Sequence, residues 1–164
     1  MLSLQHYDLA SKLGLLLQHK KWSISVAESC TGGLTGAVIT EVPGTSFFFE
    51  GGVIAYSNEV KEKVLRVPKD VLERHGAVSA QTVRAMAQGV SQLLGTQCAI
   101  SVSGIAGPSG GTPDKPIGLV YIGFVTPNRT WEKRYIFTGD RQAIRECSVK
   151  QALLDIIGCL SEEK

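Results

Sequence analysis

Three short apolar segments separated by helical segments constrain the fold of this chain more than any other feature. Residues 22–27, 51–56 and 98–103 have the composition and alternation of β-strands, and helix-like spacing of apolar residues lies between one and the next. Strands that are joined through helices favour a parallel arrangement, because a parallel pair needs a long crossover connection. The sequence therefore predicts an α/β protein with a parallel core sheet.

The remaining segments complete this pattern. Residues 118–126 and 129–138 resemble two strands around Pro127 and Asn128, which predicts an antiparallel hairpin. Helices are expected at residues 4–20, 34–41, 59–65, 71–75, 80–94 and from 140 to about 160. We therefore expect one domain over residues 1–164, folded as a three-layer α/β/α sandwich with a mixed, mainly parallel sheet of about five strands.

Composition and charge narrow the classes of function. The chain has 164 residues, of which 43% are hydrophobic, and a net charge of +2, which argues against disorder and against a nucleic-acid or membrane partner. Its four cysteines and three histidines are not at metal-ligand spacing, so no metal site is predicted. No signal peptide and no apolar run of membrane-spanning length is visible, so we expect a cytoplasmic protein with reduced thiols.

The turn after the first strand is the first candidate binding site. Backbone N–H groups at Thr31, Gly32 and Gly33 precede a helix, where a phosphate or carboxylate is favoured. An ordinary tight turn capped by Ser29 or Thr31 explains the same residues equally well. Cys30 at the helix N-terminus is a candidate thiolate, although no histidine lies near it in the sequence.

The segment from Tyr56 to Lys61 follows the second strand. Ser57 or Asn58 can begin the next helix, and with Asn58 as the cap Lys61 lies in the first turn. The positive end of the helix disfavours a cation there, and partial burial beside Tyr56 at a strand end acts in the same direction. Both would lower the pKa of Lys61, which could then act as a general base towards a serine. A solvated lysine on a short charged helix is the alternative, and spacing alone favours it.

Two further features could bind a substrate. The glycine-rich loop that begins at Ser103 and Gly104 lacks the phosphate-loop and dinucleotide-binding motifs but offers backbone N–H groups. Arg141 and Arg145 lie four residues apart on one helix face, and paired guanidinium groups suit a phosphate. The alternative for these arginines is a solvated helix face.

Together these motifs identify a family. The stretches AESCTGG (27–33), PGTS (43–46), YSN with Lys61 (56–61), HGAVS (75–79), SGIAGP (103–108) and KPIG (115–118) occur in this order. In them the chain resembles the CinA C-terminal domain family (competence/damage-inducible protein A) over about residues 5–160. The resemblance implies a nicotinamide-nucleotide amidase, which hydrolyses nicotinamide mononucleotide to nicotinate mononucleotide and ammonia in pyridine-nucleotide salvage, without metal or cofactor.

The resemblance also implies roles for individual residues. Its catalytic group corresponds to Ser46, Tyr56 and Lys61, with Lys61 as the base that activates Ser46. Its substrate-binding positions correspond to Ser29, to Ser103, where threonine is commoner in the family, and to either Arg141 or Arg145. Longer family members carry an N-terminal domain, so this chain resembles the stand-alone amidases.

Several alternatives stay open. The chain could be a catalytically weak or inactive nucleotide-binding or regulatory homologue of the family. A hydrolase that uses the Cys30 thiol is a third interpretation. The expected partner is a small nucleotide substrate, and a homo-oligomer is left open.

Overall fold

The computed structural model describes residues 3–163. Six helices are present among these residues: α1 (Leu4–Lys20), α2 (Leu34–Thr40), α3 (Asn58–Lys63), α4 (Lys69–His75), α5 (Ala80–Leu94) and α6 (Arg141–Glu162). Five strands accompany them: β1 (Ile24–Glu28), β2 (Phe49–Ile54), β3 (Cys98–Gly104), β4 (Leu119–Val125) and β5 (Thr130–Ile136). A single 3₁₀ turn, Thr45–Phe47, precedes β2.

The five strands form one mixed sheet in the order β2-β1-β3-β4-β5. The strands β2, β1 and β3 are parallel, and β1 pairs Glu28 with Ile54 on one side and with Val102 on the other. The strands β4 and β5 add the antiparallel hairpin that the sequence predicts. The carboxyl ends of β1, β2 and β3 therefore lie together at one edge of the sheet.

Helices cover both faces of this sheet. Helices α1, α2 and α6 contact one another, and a core that includes Leu13, Ile100 and Ile156 lies beneath them. On the other face α5 packs across the strands, with a second core that includes Leu65 and Met86. The predicted three-layer α/β/α sandwich is confirmed.

Polar side chains set where several helices begin. The side chains of Ser3, Ser57, Ser79 and Asp140 each accept a hydrogen bond from the backbone N–H three residues later. Ser57, and not Asn58, is therefore the cap of α3. Lys61 consequently lies at the fourth helical position, one residue beyond the position that an Asn58 cap would give it.

Strand β2 begins two residues earlier than predicted. Its pairing with β1 shifts register between Ile24 and Ser25, which leaves Glu50 as an extra residue. At Gly52 a Cβ atom would lie 2.4 Å from a methyl group of Val26, so only glycine allows this close approach to β1. Over residues 3–163, no helix is long and apolar enough to cross a membrane.

Candidate active site

The turns after β1, β2 and β3 meet in one cavity at the carboxyl edge of the sheet. The cavity has a volume of about 220 Å³. Its walls include the predicted site residues Ser29, Tyr56, Lys61, Ser103, Gly104 and Arg141. Open α/β sheets bind ligands at this edge, so the cavity lies where a ligand-binding site is expected.

Lys61 is the central polar group of this cavity. Its side chain is completely buried, and its Nζ lies 3.1 Å from Ser29 Oγ. The same Nζ donates to the main-chain carbonyl groups of Ala55, at 2.7 Å, and Tyr56, at 3.1 Å. All three partners can accept a hydrogen bond, and no carboxylate pairs with this amine among the ion pairs of residues 3–163.

The environment of Lys61 shifts its pKa. Burial lowers the pKa of Lys61 below its usual value, because the charged form loses its hydration. The sequence predicts this direction from the helix N-terminus and from partial burial beside Tyr56, and the structure gives burial as the main cause. Lys61 lies beyond the first turn of α3, a helix of only six residues.

Ser46 lies at the opposite end of β2 from Lys61. It is an exposed residue of the 3₁₀ turn Thr45–Phe47. The next residue, Phe48, accepts a hydrogen bond at its carbonyl from the N–H of Ile24, at the start of β1. The six residues of β2 separate the two ends by about 17 Å. The structure thus places Ser29, and not Ser46, beside the amine of Lys61.

The N-terminus of α2 is already occupied by a side chain of the protein. The Glu28 carboxylate, buried in the core, accepts hydrogen bonds from the N–H groups of Gly33, Thr35 and Gly36 at 3.1, 3.0 and 2.9 Å. The N–H of Gly32 donates to the Ser29 carbonyl. The N–H groups of Gly32 and Gly33, which the sequence presents as free to bind an anion, therefore have internal acceptors.

Thr31 does not reach the cavity either. Its side chain is completely buried, and its hydroxyl has no hydrogen-bond partner within residues 3–163. Its carbonyl accepts a hydrogen bond of 2.7 Å from Arg145 Nη2. Thr31 therefore connects the turn to α6 rather than to the cavity.

Arg141 and Tyr56 stand together beside the cavity. Arg141 donates from Nη1 to the Gly107 carbonyl at 2.8 Å and from Nη2 to Tyr56 Oη at 3.3 Å. The hydroxyl of Tyr56 is thus held by Arg141, while its main-chain carbonyl receives the hydrogen bond from Lys61. A proton relay from Lys61 through the Tyr56 hydroxyl is not present in this geometry.

The two arginines of α6 differ in position. Arg141 lines both the cavity and a larger neighbouring groove of about 590 Å³, whereas Arg145 lines the groove alone. Leu34, Glu41 and Glu146 complete much of that groove. Arg141 therefore lies at the junction of the two spaces, whereas Arg145 is accessible from the groove only.

Ser103 and Gly104 form the wall contributed by β3. The Ser103 hydroxyl donates to the Ala77 carbonyl at 2.8 Å, which leaves its lone pairs free to accept. At Gly104 a Cβ atom would lie 2.7 Å from the Leu119 carbonyl oxygen, so glycine is needed where β3 approaches β4.

Cys30 has the properties of a core residue. Burial raises the pKa of its thiol to about 12, so the thiol stays protonated at neutral pH. This contradicts the interpretation of Cys30 as an activated thiolate. Among the residues that the structure describes, no three His, Cys, Asp or Glu side chains are grouped so that they could hold a metal ion.

Comparison with known proteins identifies the family. The sequence profile of the CinA C-terminal domain matches residues 6–160. This chain belongs to the CinA C-terminal domain family. Over 137 residues it is 51% identical to a competence-damage inducible protein of Caldanaerobacter subterraneus, and the match covers 84% of this chain and 33% of that protein. The chain thus spans about a third of the length of such curated CinA relatives.

Solved structures of CinA proteins have the same fold. The competence/damage inducible protein CihA from Agrobacterium tumefaciens superposes with a TM-score of 0.94 at 32% identity, over 99% of both chains. The competence damage-inducible protein A (ComA) from Klebsiella pneumoniae gives 0.93 at 34% identity, over 97% of this chain and 99% of that one. The resemblance seen in the sequence motifs is therefore confirmed at the level of family and fold.

Two features of this CinA site are not evident from the sequence motifs. Ser29 lies beside Lys61, because Ser29 directly follows β1 as Tyr56 and Lys61 follow β2, and adjacent parallel strands bring such positions together. Glu28 is the second feature, and the motifs give it no role. A carboxylate at the end of an apolar strand, five to eight residues before helical N–H groups, is the signal that could have indicated its internal capping role.

Proposed function

We propose that this CinA-family chain is a serine amidase whose nucleophile is Ser29 and whose base is Lys61. One observation carries the proposal: the buried Lys61 Nζ lies 3.1 Å from Ser29 Oγ while two carbonyl groups take its other hydrogen bonds. The substrate class follows from the family resemblance, which implies nicotinamide mononucleotide.

The carbonyl groups orient the Lys61 amine. A carbonyl oxygen can only accept, so the bonds to Ala55 and Tyr56 fix two N–H groups of Lys61. In the neutral amine the lone pair is then directed at the remaining partner, the hydroxyl of Ser29. This is the arrangement that a general base needs to remove the serine proton.

The reaction proceeds in two halves. Ser29 Oγ attacks the carboxamide carbon while Lys61 Nζ takes the hydroxyl proton, and the tetrahedral intermediate expels ammonia as Lys61 returns the proton to the leaving nitrogen. A water molecule then attacks the ester on Ser29, again with Lys61 as the base. The ester bond breaks, Ser29 regains its proton, and a carboxylic acid leaves, whose proton is taken up by the released ammonia, so one amide and one water give one carboxylate and one ammonium ion.

The negative oxygen of the intermediate needs donors. The N–H of Cys30, the residue after the nucleophile, donates to no backbone carbonyl within the described residues and is the donor we assign to this oxygen. Arg141, at the junction of the cavity and the neighbouring groove, is placed to bind an anionic group such as a phosphate. The carboxamide would occupy the cavity, and the phosphate would lie against Arg141 at the junction of the cavity and the groove.

The test is direct. Purified protein is incubated with nicotinamide mononucleotide, and released ammonia and nicotinate mononucleotide are measured together. We expect equal amounts of both products and none from the Ser29→Ala variant. Binding of the nucleotide without any turnover by the wild-type protein would contradict the amidase proposal and favour a nucleotide-binding or regulatory homologue.

A further inference from the structure

The turn that carries Ser29 is held by two charged side chains. The Glu28 carboxylate accepts from three N–H groups at the start of α2. Arg145 donates to the Thr31 carbonyl at 2.7 Å. Hydrogen bonds of this kind, with a carboxylate as acceptor or a guanidinium as donor, are stronger than those between neutral groups.

Neither of these side chains lines the cavity that contains Lys61 and Ser29. Glu28 is 1% exposed and has no Lys, Arg or His partner among the ion pairs of residues 3–163. Its three N–H donors replace such a partner. A carboxylate that is buried in this way contacts the turn and the helix, and it cannot contact a substrate.

Arg145 is similarly placed with respect to the turn. Its Nη2 lies against the residue 31–32 segment, since a Cβ atom at Gly32 would be 3.7 Å from it. Arg141, one helical turn earlier on α6, instead contacts Tyr56 and the glycine-rich loop at the cavity. The two arginines therefore contact different parts of the site.

We propose, on the basis of the amidase function proposed above, that Glu28 and Arg145 are positioning residues for Ser29. Together they fix the turn of residues 29–33, so that Ser29 Oγ stays within reach of Lys61 Nζ. Arg141 alone of the two arginines acts on substrate binding. Arg141 and Arg145 share one helix face, so the sequence alone gives them the same role. The proposal gives them different roles.

Misplacement of a nucleophile by about 1 Å can cost on the order of 100-fold in rate. Loss of the Arg145 contact should therefore lower kcat on the order of 10- to 100-fold and leave KM for the nucleotide nearly unchanged. Arg145→Lys, which keeps a charged donor on a long side chain, should retain more of kcat than Arg145→Met. Arg141→Met is the matched control on the same helix and should raise KM.

The experiment compares Arg145→Met, Arg145→Lys, Glu28→Gln and Arg141→Met with nicotinamide mononucleotide as substrate. A second readout is the rate at which a serine-directed fluorophosphonate modifies Ser29, followed by intact-protein mass. We expect this rate to fall with kcat in Arg145→Met while the melting temperature stays close to that of the wild type. Should Glu28→Gln fail to fold, the two Arg145 variants carry the test.

The outcomes separate the two proposals. A wild-type protein that neither releases ammonia nor becomes labelled at Ser29 contradicts the amidase function, and the positioning roles fall with it. An active wild type together with an Arg145→Met variant that matches it, or that raises KM alone, overturns only the positioning roles.

Discussion

The two ends of strand β2 carry very different polar residues. At the carboxyl end, Lys61 is completely buried and reaches the Ser29 hydroxyl. At the amino end, Ser46 is exposed in a 3₁₀ turn, next to Phe47, whose side chain is 80% exposed. Trp22, Lys21 and Gln97 lie with Phe47 around an open groove there. Only the carboxyl end combines a serine with a buried amine.

This difference shows why burial matters more than residue type. A serine hydroxyl is a weak nucleophile unless an adjacent base removes its proton. An exposed lysine keeps its proton at neutral pH, whereas burial favours the neutral amine of Lys61. Ser46 has no such neighbouring base among its contacts within residues 3–163, so no group there would activate it.

Removal of each serine gives the largest expected contrast. Ser29→Ala should lower kcat by at least about 10³-fold, because the attacking atom is lost. Ser46→Ala should leave kcat and KM near their wild-type values, since the residue is exposed at the other end of β2. Ammonia release under saturating nicotinamide mononucleotide measures both. The reverse order would return the nucleophile to Ser46.

Substitution of the base should have the next largest effect. Lys61→Met and Lys61→Arg should both lose on the order of 10²- to 10⁴-fold in kcat, because an arginine does not supply a neutral base. The wild-type rate should rise with pH as Lys61 loses its proton and level off below about 10.4, the pKa of a free lysine. An Arg variant that keeps most of the activity would make Lys61 an electrostatic residue.

The same titration affects stability. Because the pKa of Lys61 is lowered in the folded protein, the unfolded chain binds more protons between the folded and the unfolded pKa. The free energy of unfolding contributed by this site should therefore rise with pH through that window. Lys61→Met should lack this rise. Urea unfolding of both proteins at a series of pH values checks it, and parallel curves would contradict the lowered pKa.

The smallest effect on activity is expected at Cys30. Cys30→Ala keeps the backbone N–H that we assign to the oxyanion and removes only a buried thiol, which titrates near pH 12. We expect nearly unchanged kcat and a loss of stability of about 1–2 kcal/mol from the cavity. Inactivation of this variant while it remains folded would revive the thiol interpretation.

The sequence predicts the layers of the fold well because they depend on periodicity. The hairpin, the parallel core and the bounds of α1 follow from apolar spacing. The bounds of α5 follow from Ser79 and Gly95 at its ends. The start of β2 does not follow from apolar spacing, because the extra residue Glu50 arises from the pairing of β2 with β1.

The site is only partly predictable for a related reason. The sequence indicates that the turns after β1, β2 and β3 meet, which brings Ser29, Lys61 and Ser103 together. The order along the chain already places Ser46 before the second predicted strand and Lys61 after it, so the separation of the two residues is also evident from the sequence. The sequence cannot show that Glu28 folds back onto α2 and fills the anion site that glycines alone suggest.

The nucleophile can be identified chemically. The protein is mixed with nicotinamide mononucleotide, quenched in acid within the first turnovers, digested and analysed by peptide mass mapping, with the Lys61→Met variant as a control. We expect a nicotinoyl-mononucleotide ester on the peptide that contains Ser29, and no such ester in the Lys61→Met control. An adduct on Ser46 or Cys30, in place of Ser29, would contradict the assignment of the buried Ser29–Lys61 pair as the catalytic centre.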